Sequence, residues 1–246
     1  MDEIAFKEYG AGRPFFVLHG GGGPLTVDAF AKRLAAEHSV RVFVPTHPGF
    51  GGTSRPENLT TVRELAARYI QLLDELDLSD VTVLGNSMGG WIAAEMALLP
   101  SRRIGRVVIV DGVGIEVPDH PIADFYSLTP RQIAELSYHD PDRYGIDPTK
   151  LPPAALEAMA GNRAALAVYA GTSMLDPTLA QRLSAVRVPT LVIWGDADRI
   201  ADSAYGRAFA AAIPGAKFEL LSATGHLPQI ESPAALMEVI RNFAAA

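Results

Sequence analysis

One six-residue segment, GNSMGG at residues 85–90, limits the possible folds more than any other feature of the chain. It follows the β-rich run VTVL and precedes WIAAEMALLP, whose composition is typical of a helix. Glycine is unfavourable inside helices and strands, so three glycines in six residues indicate a sharp turn between the two. The segment therefore predicts a strand, a tight turn and a helix, with Ser87 at the centre of the turn in the pattern G-x-S-x-G.

Strand-like and helix-like segments alternate along most of the 246 residues. Continuous apolar runs are typical of strands buried on both faces of a parallel sheet. They are FFVL (15–18), VRVFV (40–44), VTVL (81–84), RVVIV (106–110), PTLVIW (189–194) and KFELL (217–221). Between them, apolar residues recur at helical spacing, as from Val62 to Leu76, where Thr61 and Glu64 can form a capping box. This alternation predicts an α/β fold with an open, mostly parallel, doubly wound sheet.

The alternation stops between about Gly112 and Val186, where no strong strand signal occurs and prolines, seven of them between residues 118 and 153, separate short segments. Helices are predicted to begin after Thr129 and to span 153–170. This region is either a small separate helical domain or an insertion between two strands. Because the strand pattern resumes at residue 189, the sequence favours an insertion. We expect a core formed by 1–111 and 187–246, and a helical cap formed by 112–186.

Composition excludes several classes of partner and chemistry. The chain has 21 basic and 28 acidic residues, a net charge of −7, and no basic cluster, so nucleic acid is not an expected partner. The absence of cysteine excludes disulfides, thiolate metal sites and a cysteine nucleophile. The charged N-terminal segment lacks the apolar stretch that a signal peptide needs. No apolar run reaches the ~20 residues that span a bilayer. We therefore expect a cytoplasmic protein without a membrane span.

A serine hydroxyl is a weak nucleophile unless a base lies beside it. Of the six histidines, His226 has the best position, because it follows the last predicted strand and precedes a helix. A carboxylate should hold that base, and in the chain order Ser, Asp, His it lies between Ser87 and His226. Asp196 and Asp198 follow one strand and Asp111 follows its neighbour, so the residues alone leave three candidates.

The glycine-rich run HGGGG (19–23) follows the strand FFVL. Its backbone N–H groups, above all those of Gly21 and Gly22, could bind an oxyanion together with the N–H of Met88. The alternative is a loop that cradles phosphate. It is disfavoured because the run lacks the GK[ST] of a P-loop and the G-x-G-x-x-G of a dinucleotide site.

Taken in order, HGGGG, PGFGGTS, GNSMGG, WGDAD and GHLPQIESP resemble the motifs of the α/β-hydrolase fold enzymes over nearly the whole chain. The resemblance implies that Ser87 is the nucleophile and His226 the base. It implies that Asp198 is the acid, since Asp198 fits the WGxxDxI pattern better than Asp196. It also implies a helical cap and a reaction that needs no cofactor and no metal.

Two features depart from the family pattern. His47, in THPGFGGTS, stands where the family usually has an aspartate, and we expect it to be a structural histidine. A single predicted strand, IAFKEY, precedes FFVL where many relatives have two, so we expect a sheet that is one strand shorter.

The expected chemistry is acyl transfer to water, and the substrate is expected to be a small molecule with an apolar acyl group, either a carboxylic ester or a lactone. A second hypothesis is hydrolysis of C–C bonds in vinylogous diketones from aromatic ring breakdown. Such enzymes often carry a tryptophan after the base histidine, whereas this chain has Leu227. A third is a non-catalytic ligand-binding receptor. Aromatic and methionine residues of the cap suggest an apolar pocket, although packing between cap helices is the simpler explanation for any one of them. They are Phe125, Tyr126, Tyr138, Met159, Tyr169 and Met174.

Overall fold

Seven strands form one sheet in the computed structural model, which describes residues 4–245. The strands are β1 (Phe6–Gly10), β2 (Arg13–Leu18), β3 (Val40–Pro45), β4 (Val81–Asn86), β5 (Ile104–Val110), β6 (Thr190–Gly195) and β7 (Lys217–Leu221). Their order across the sheet is β1-β3-β2-β4-β5-β6-β7. Only β1 runs antiparallel to its neighbour, and all other pairs are parallel. The mostly parallel sheet is therefore confirmed, and a single strand precedes β2 within the described residues.

Ten α-helices occur in the described residues and flank the sheet or connect its strands. They are α1 (Leu25–His38), α2 (Val62–Glu75), α3 (Met88–Leu98), α4 (Pro130–Ser137), α5 (Pro141–Tyr144), α6 (Pro153–Ala170), α7 (Leu179–Arg182), α8 (Ser203–Ala211), α9 (Pro228–Glu231) and α10 (Pro233–Ala245). Short 3-10 turns lie at Pro148–Lys150 and Leu183–Ala185. The capping box predicted at Thr61 and Glu64 is present and begins α2.

Alternate residues of each strand enter two hydrophobic cores, one on each face of the sheet. Phe15 and Val17 of β2 pack with α1 and α10, whereas Phe16 and Leu18 pack with α2, α3 and α8. This division follows from the strand geometry, because successive side chains point to opposite faces. Both faces are thus covered by helices, which explains the continuous apolar runs of the central strands.

The region between β5 and β6 contains α4 to α7 and no strand. The helices predicted after Thr129 and over 153–170 are both present, and a capping box of Thr129 and Gln132 begins α4. Residues 112–128 form no regular helix, and the first helix of this segment begins after Thr129, where the sequence predicted it. The division of the chain into a core and a cap at 112–186 stays a prediction.

The carboxyl ends of the parallel strands meet at one edge of the sheet, where they are joined by backbone hydrogen bonds. The N–H of Ser87, after β4, donates to the Val110 carbonyl of β5 at 3.0 Å. The N–H of Asp111, after β5, donates to the Ile193 carbonyl of β6 at 3.0 Å. Ligands bind at this edge in open α/β sheets, and the predicted site residues lie on the loops that leave it. Within residues 4–245, no helix is both long and apolar enough to cross a membrane.

Close packing between β4 and α3 requires glycine at residue 85, and this can be tested. A β-carbon on Gly85 would overlap the backbone of Gly89, which cannot move aside. We expect Gly85→Ala to lower the free energy of unfolding by about 3 kcal/mol or more. Gly161 is a matched control, since it lies inside α6 with open space around it. There alanine should stabilise by about 0.5–1 kcal/mol, because it favours the helix.

Urea unfolding followed by circular dichroism measures both variants. Equal free energies of unfolding for Gly85→Ala and the parent chain would show that the turn does not have the close packing described here.

Candidate active site

The backbone at Ser87 is strained, and hydrogen bonds to its N–H and its carbonyl hold it in place. Ser87 has φ 56° and ψ −121°, a conformation that L-residues adopt only when the surrounding structure imposes it. Its carbonyl accepts the N–H groups of Gly90 at 2.9 Å, Trp91 at 3.2 Å and Val113 at 3.3 Å. A β-carbon on Gly20 would lie 2.8 Å from the Ser87 β-carbon, so the HGGGG loop can approach the serine only with glycine there. The sequence analysis did not single out Gly20.

Of the three candidate acids, Asp198 is the one that contacts His226. The Nδ1 atom of His226 lies 2.8 Å from Oδ2 of Asp198, and both side chains are buried. The other oxygen of Asp198, Oδ1, accepts the N–H groups of Ile200 at 2.8 Å and Ala201 at 3.2 Å. Asp196 is exposed. The fixed carboxylate therefore favours the tautomer with a proton on Nδ1, which leaves Nε2 of His226 free to accept a proton.

The loop that carries His226 is held by hydrogen bonds to both backbone polar groups of this residue. Its N–H donates to the Ser137 carbonyl of α4 at 2.7 Å. Its carbonyl accepts the Asn86 side-chain amide at 2.9 Å, and Asn86 in turn accepts from Gln229 at 3.0 Å. Asn86 and Gln229 were not among the site residues predicted from the sequence. Both lie within the quoted motifs GNSMGG and GHLPQIESP, but nothing in either motif indicates that the two side chains meet.

Ser87 and His226 line the same cavity, so the structure brings the predicted nucleophile and base together. No hydrogen bond among the described residues joins the Ser87 hydroxyl to the His226 ring. Catalytic hydrogen bonds are often long without substrate and shorten when it binds.

The predicted oxyanion donors belong to the HGGGG loop and to the first residue of α3. Gly21 and Gly22 line the cavity, and among residues 4–245 their N–H groups donate to no other residue. Met88 is the first residue of α3, so its N–H has no partner within the helix. The cap helix α6 holds this loop, because the Asn162 amide donates to the Gly22 carbonyl at 3.1 Å. The N–H groups of Gly21 and Gly22 are therefore available to a negative oxygen in the cavity, and the N-terminus of α3 next to Ser87 favours negative charge.

His47 and His19 form a buried pair beneath the HGGGG loop. Nδ1 of His19 contacts the Gly20 carbonyl at 2.8 Å, and its Nε2 accepts the His47 N–H at 3.1 Å. Nε2 of His47 contacts the His19 carbonyl at 2.8 Å, and its Nδ1 contacts the Tyr69 hydroxyl. Each ring thus has one donating and one accepting nitrogen, which is the pattern of neutral histidine. His47 has the structural position that the sequence analysis expected.

Burial keeps both rings uncharged. It lowers the pKa of His19 to about 4 and, together with the nearby His19 ring, lowers the pKa of His47 well below its ordinary value. The ring centroids are 3.7 Å apart. A second proton would have to bind the nitrogen that already accepts a hydrogen bond, which comes from the His47 N–H in His19 and from the Tyr69 hydroxyl in His47.

The cavity at Ser87 has a volume of about 360 Å³ and lies between the sheet edge and the cap. Four of the cap residues suggested by the sequence line it: Phe125, Tyr138, Met159 and Met174. The other two, Tyr126 and Tyr169, do not line it, and the Tyr169 hydroxyl donates to a backbone carbonyl instead. A larger cavity of about 630 Å³ lies beside α2 and contains none of the site residues. The smaller cavity is therefore the candidate substrate pocket.

A sequence model of the alpha/beta hydrolase family matches residues 15–239. The chain belongs to the alpha/beta hydrolase family. It is similar to the 2-hydroxy-6-oxononadienedioate/2-hydroxy-6-oxononatrienedioate hydrolase of Cupriavidus pinatubonensis, with 30% identity over 98% of this chain and 90% of the relative. It is also similar to the structure of a thermophilic esterase from Thermogutta terrifontis, with 25% identity over 98% of this chain and 93% of that one, and a TM-score of 0.77.

A serine hydrolase involved in carbazole degradation has the same fold, with a TM-score of 0.80 at 21% identity over 98% of this chain and 94% of that one. These relatives are named as hydrolases or as an esterase, and this member of the alpha/beta hydrolase family is a hydrolase too. The hypothesis of a non-catalytic receptor is not retained.

One group of side chains in this alpha/beta hydrolase has donor atoms and spacing that would suit a metal ion. Within residues 4–245 it consists of Asp111, Asp198 and His226, with one atom of each within 4.8 Å of the others. A metal there would have to break the hydrogen bond between His226 and Asp198. We therefore interpret the group as an acid–base cluster.

The buried histidine pair predicts a pH dependence of folding. In the unfolded chain a histidine binds a proton near pH 6.5, whereas in the folded chain His19 does so near pH 4. The unfolded state then binds more protons as pH falls, so the free energy of unfolding should decrease below pH 6.5 by about 1.4 kcal/mol per pH unit for each buried histidine. Replacing His47 by glutamine should remove up to one such contribution from the slope.

Urea unfolding between pH 5 and 7 measures this slope. His139→Gln is the control, because His139 is exposed and should leave the slope unchanged. An unchanged slope in His47→Gln would mean that His47 is not held neutral.

Proposed function

We propose that this alpha/beta hydrolase cleaves a small-to-medium carboxylic ester or lactone through an acyl-enzyme on Ser87. The observation that carries the proposal is the 2.8 Å contact between His226 Nδ1 and Asp198 Oδ2, at the wall of the cavity that Ser87 lines. A histidine oriented by a buried carboxylate is the base that a serine nucleophile needs.

Each residue of the site has a definite role in this proposal. Ser87 attacks the carbonyl carbon and gives its proton to Nε2 of His226, while Asp198 stabilises the imidazolium that results. The N–H groups of Gly21, Gly22 and Met88 bind the oxygen that becomes negative in the tetrahedral intermediate. His226 then protonates the leaving alkoxide. Water, activated by the same histidine, attacks the acyl group and restores the Ser87 hydroxyl.

The lining of the cavity supports a substrate with an uncharged acyl part. Arg163 is the one arginine, lysine, aspartate or glutamate among the lining residues that the structure describes. One of its terminal nitrogens, Nη2, donates to the carbonyls of Phe125 at 3.1 Å and Tyr126 at 2.6 Å. The remaining contacts are mostly apolar, so an alkyl or small aromatic acyl group fits better than a dianion, which would be left without enough partners.

Hydrolysis of a C–C bond is the second candidate, and two observations favour it. The relative from Cupriavidus pinatubonensis is named for dienedioate and trienedioate substrates, which carry two carboxylates. Arg163 could pair with one carboxylate of such a substrate. Against this candidate, the described lining holds no second arginine or lysine, and Leu227 lines the cavity directly after the base.

A burst experiment with p-nitrophenyl acetate, butyrate and octanoate tests the ester proposal. We expect release of p-nitrophenol that depends on Ser87, with a burst equal to the enzyme concentration if the acyl-enzyme is hydrolysed slowly. Ser87→Ala should lose essentially all of this activity, because the covalent step needs the hydroxyl. Ser222→Ala is the control, since Ser222 is exposed and does not line the cavity. Hydrolysis retained by Ser87→Ala would refute the assignment of the nucleophile.

Arg163→Gln distinguishes the two candidates by comparing two substrates, a neutral butyrate ester and a coloured dienoate that carries a carboxylate. If the natural reaction is ester hydrolysis, kcat/KM for the ester should change by less than about threefold. A substrate anion that pairs with Arg163 would instead lose about 1.5–3 kcal/mol of binding, a rise in KM of tenfold or more. Two results together would replace the ester proposal by C–C hydrolysis. They are a kcat/KM for the dienoate far above that for every ester, and the tenfold rise in KM for the dienoate in Arg163→Gln.

A further inference from the structure

Asp111 is a buried carboxyl group for which the ester mechanism has no role. It follows β5 with a left-handed φ of 45°, and its side chain is fully shielded from solvent. Oδ1 accepts the Gly195 N–H at 2.9 Å. Oδ2 is buried and has no hydrogen-bond partner among the described residues. A buried polar atom without a partner is costly, so the group needs an explanation.

Its neighbours are the acid and the base of the proposed triad. Atoms of Asp111, Asp198 and His226 all lie within 4.8 Å of one another. The other titratable groups on the loop after β6, Asp196 and Arg199, are exposed. On the neighbouring strand, the Asn86 side chain is neutral and donates to the Val110 carbonyl. The charged groups that face Asp111 are therefore Asp198 and His226.

Two carboxyl groups this close cannot both be ionised in a buried site, so they hold a proton between them. The hydrogen bonds decide which group keeps it. Asp198 accepts two backbone N–H groups and the His226 ring, which stabilise its negative charge. Asp111 accepts only one N–H. In addition, burial and the charge of Asp198 raise the pKa of Asp111 well above its ordinary value.

We propose that Asp111 is a positioning residue: a neutral carboxylic acid whose Oδ2–H donates to Asp198 and thereby holds the Asp198 carboxylate against His226. This proposal gives the unpartnered Oδ2 its hydrogen bond and completes a chain from Asp111 through Asp198 to His226. A neutral donor also draws some negative charge away from Asp198, so Asp111 moderates how strongly Asp198 stabilises the protonated His226 ring. The proposal rests on the proposed triad, since Asp198 and His226 are the groups that it positions.

The opposite arrangement, an ionised Asp111, would add a second negative charge beside His226. The two arrangements predict different effects for Asp111→Asn. Asparagine has the shape of a protonated aspartate, can accept from the Gly195 N–H and can donate to Asp198. It therefore reproduces a neutral Asp111 but removes the charge of an ionised one.

The test is a titration of the His226 ring by NMR with ¹⁵N-histidine labelling, with the His226 signal assigned from its loss in His226→Gln. We expect Asp111→Asn to keep the titration midpoint of His226 within about 0.3 pH units of the parent chain. Loss of a full charge at this distance would instead lower it by about one pH unit or more. A drop of that size would overturn the proposal. Asp196→Asn is the control, since it removes an exposed charge from the same loop.

Asp111→Leu tests the hydrogen bond itself, because leucine has a similar shape but no donor. We expect it to raise the His226 midpoint and to lower kcat/KM for the best p-nitrophenyl ester about tenfold or more, with asparagine restoring both. If leucine and asparagine behave alike, the hydrogen bond to Asp198 has no effect and the proposal is wrong. If Asp111→Leu does not fold, Asp111→Asn still decides between the neutral and the ionised group.

The NMR readout needs no turnover, so the two proposals can fail separately. Ester hydrolysis retained by Ser87→Ala would refute the nucleophile while the His226 midpoints still report on Asp111. A lowered midpoint in Asp111→Asn would refute the neutral Asp111 while Ser87-dependent hydrolysis still stands.

Discussion

The left-handed backbone at Ser87, with φ 56°, is the constraint on which the site depends. An L-residue keeps this conformation only where its surroundings leave no alternative. Here β4 approaches α3 closely, which is possible only because residue 85 has no side chain, and α3 approaches the end of β2 closely, which is possible only because residue 89 has none. The turn between β4 and α3 brings Ser87 to the cavity at the sheet edge and begins α3 at the next residue, Met88. The strained residue, the proposed nucleophile and one proposed oxyanion donor thus come from one piece of backbone.

The other parts of the site are arranged around that turn by buried hydrogen bonds. The loop of His226 is fixed by Asn86 from β4 and by Ser137 from α4, so hydrogen bonds from the sheet and from a helix between β5 and β6 both hold it in position. The oxyanion loop is fixed from below by the neutral pair of His19 and His47, and from above by Asn162. Because each of these polar groups is buried, loss of one partner leaves the other unsatisfied, which keeps the geometry in a single arrangement.

The sequence predicted those features that depend on local pattern. The runs around β4, β5 and β6, the capping box before α2, the start of α4 after Thr129, and the turn at Ser87 each follow from periodicity or from residue type within a few positions. Contacts between distant segments could not be predicted in this way. The residues left Asp111, Asp196 and Asp198 equivalent, and only the three-dimensional structure puts two of them side by side and exposes the third. The irregular path of 112–128 is likewise set by packing and not by a repeating pattern.

The most direct test of the central claim, that the fold makes Ser87 a nucleophile, is to treat the protein with a fluorophosphonate and measure the mass of the intact chain and of its proteolytic peptides. A fluorophosphonate reacts with a serine that is activated by a base, and an unfolded chain has no such serine. We expect one phosphonyl group per folded chain, attached to Ser87, and none on chain unfolded in urea. Labelling of a different serine, or no labelling of the folded protein, would contradict it.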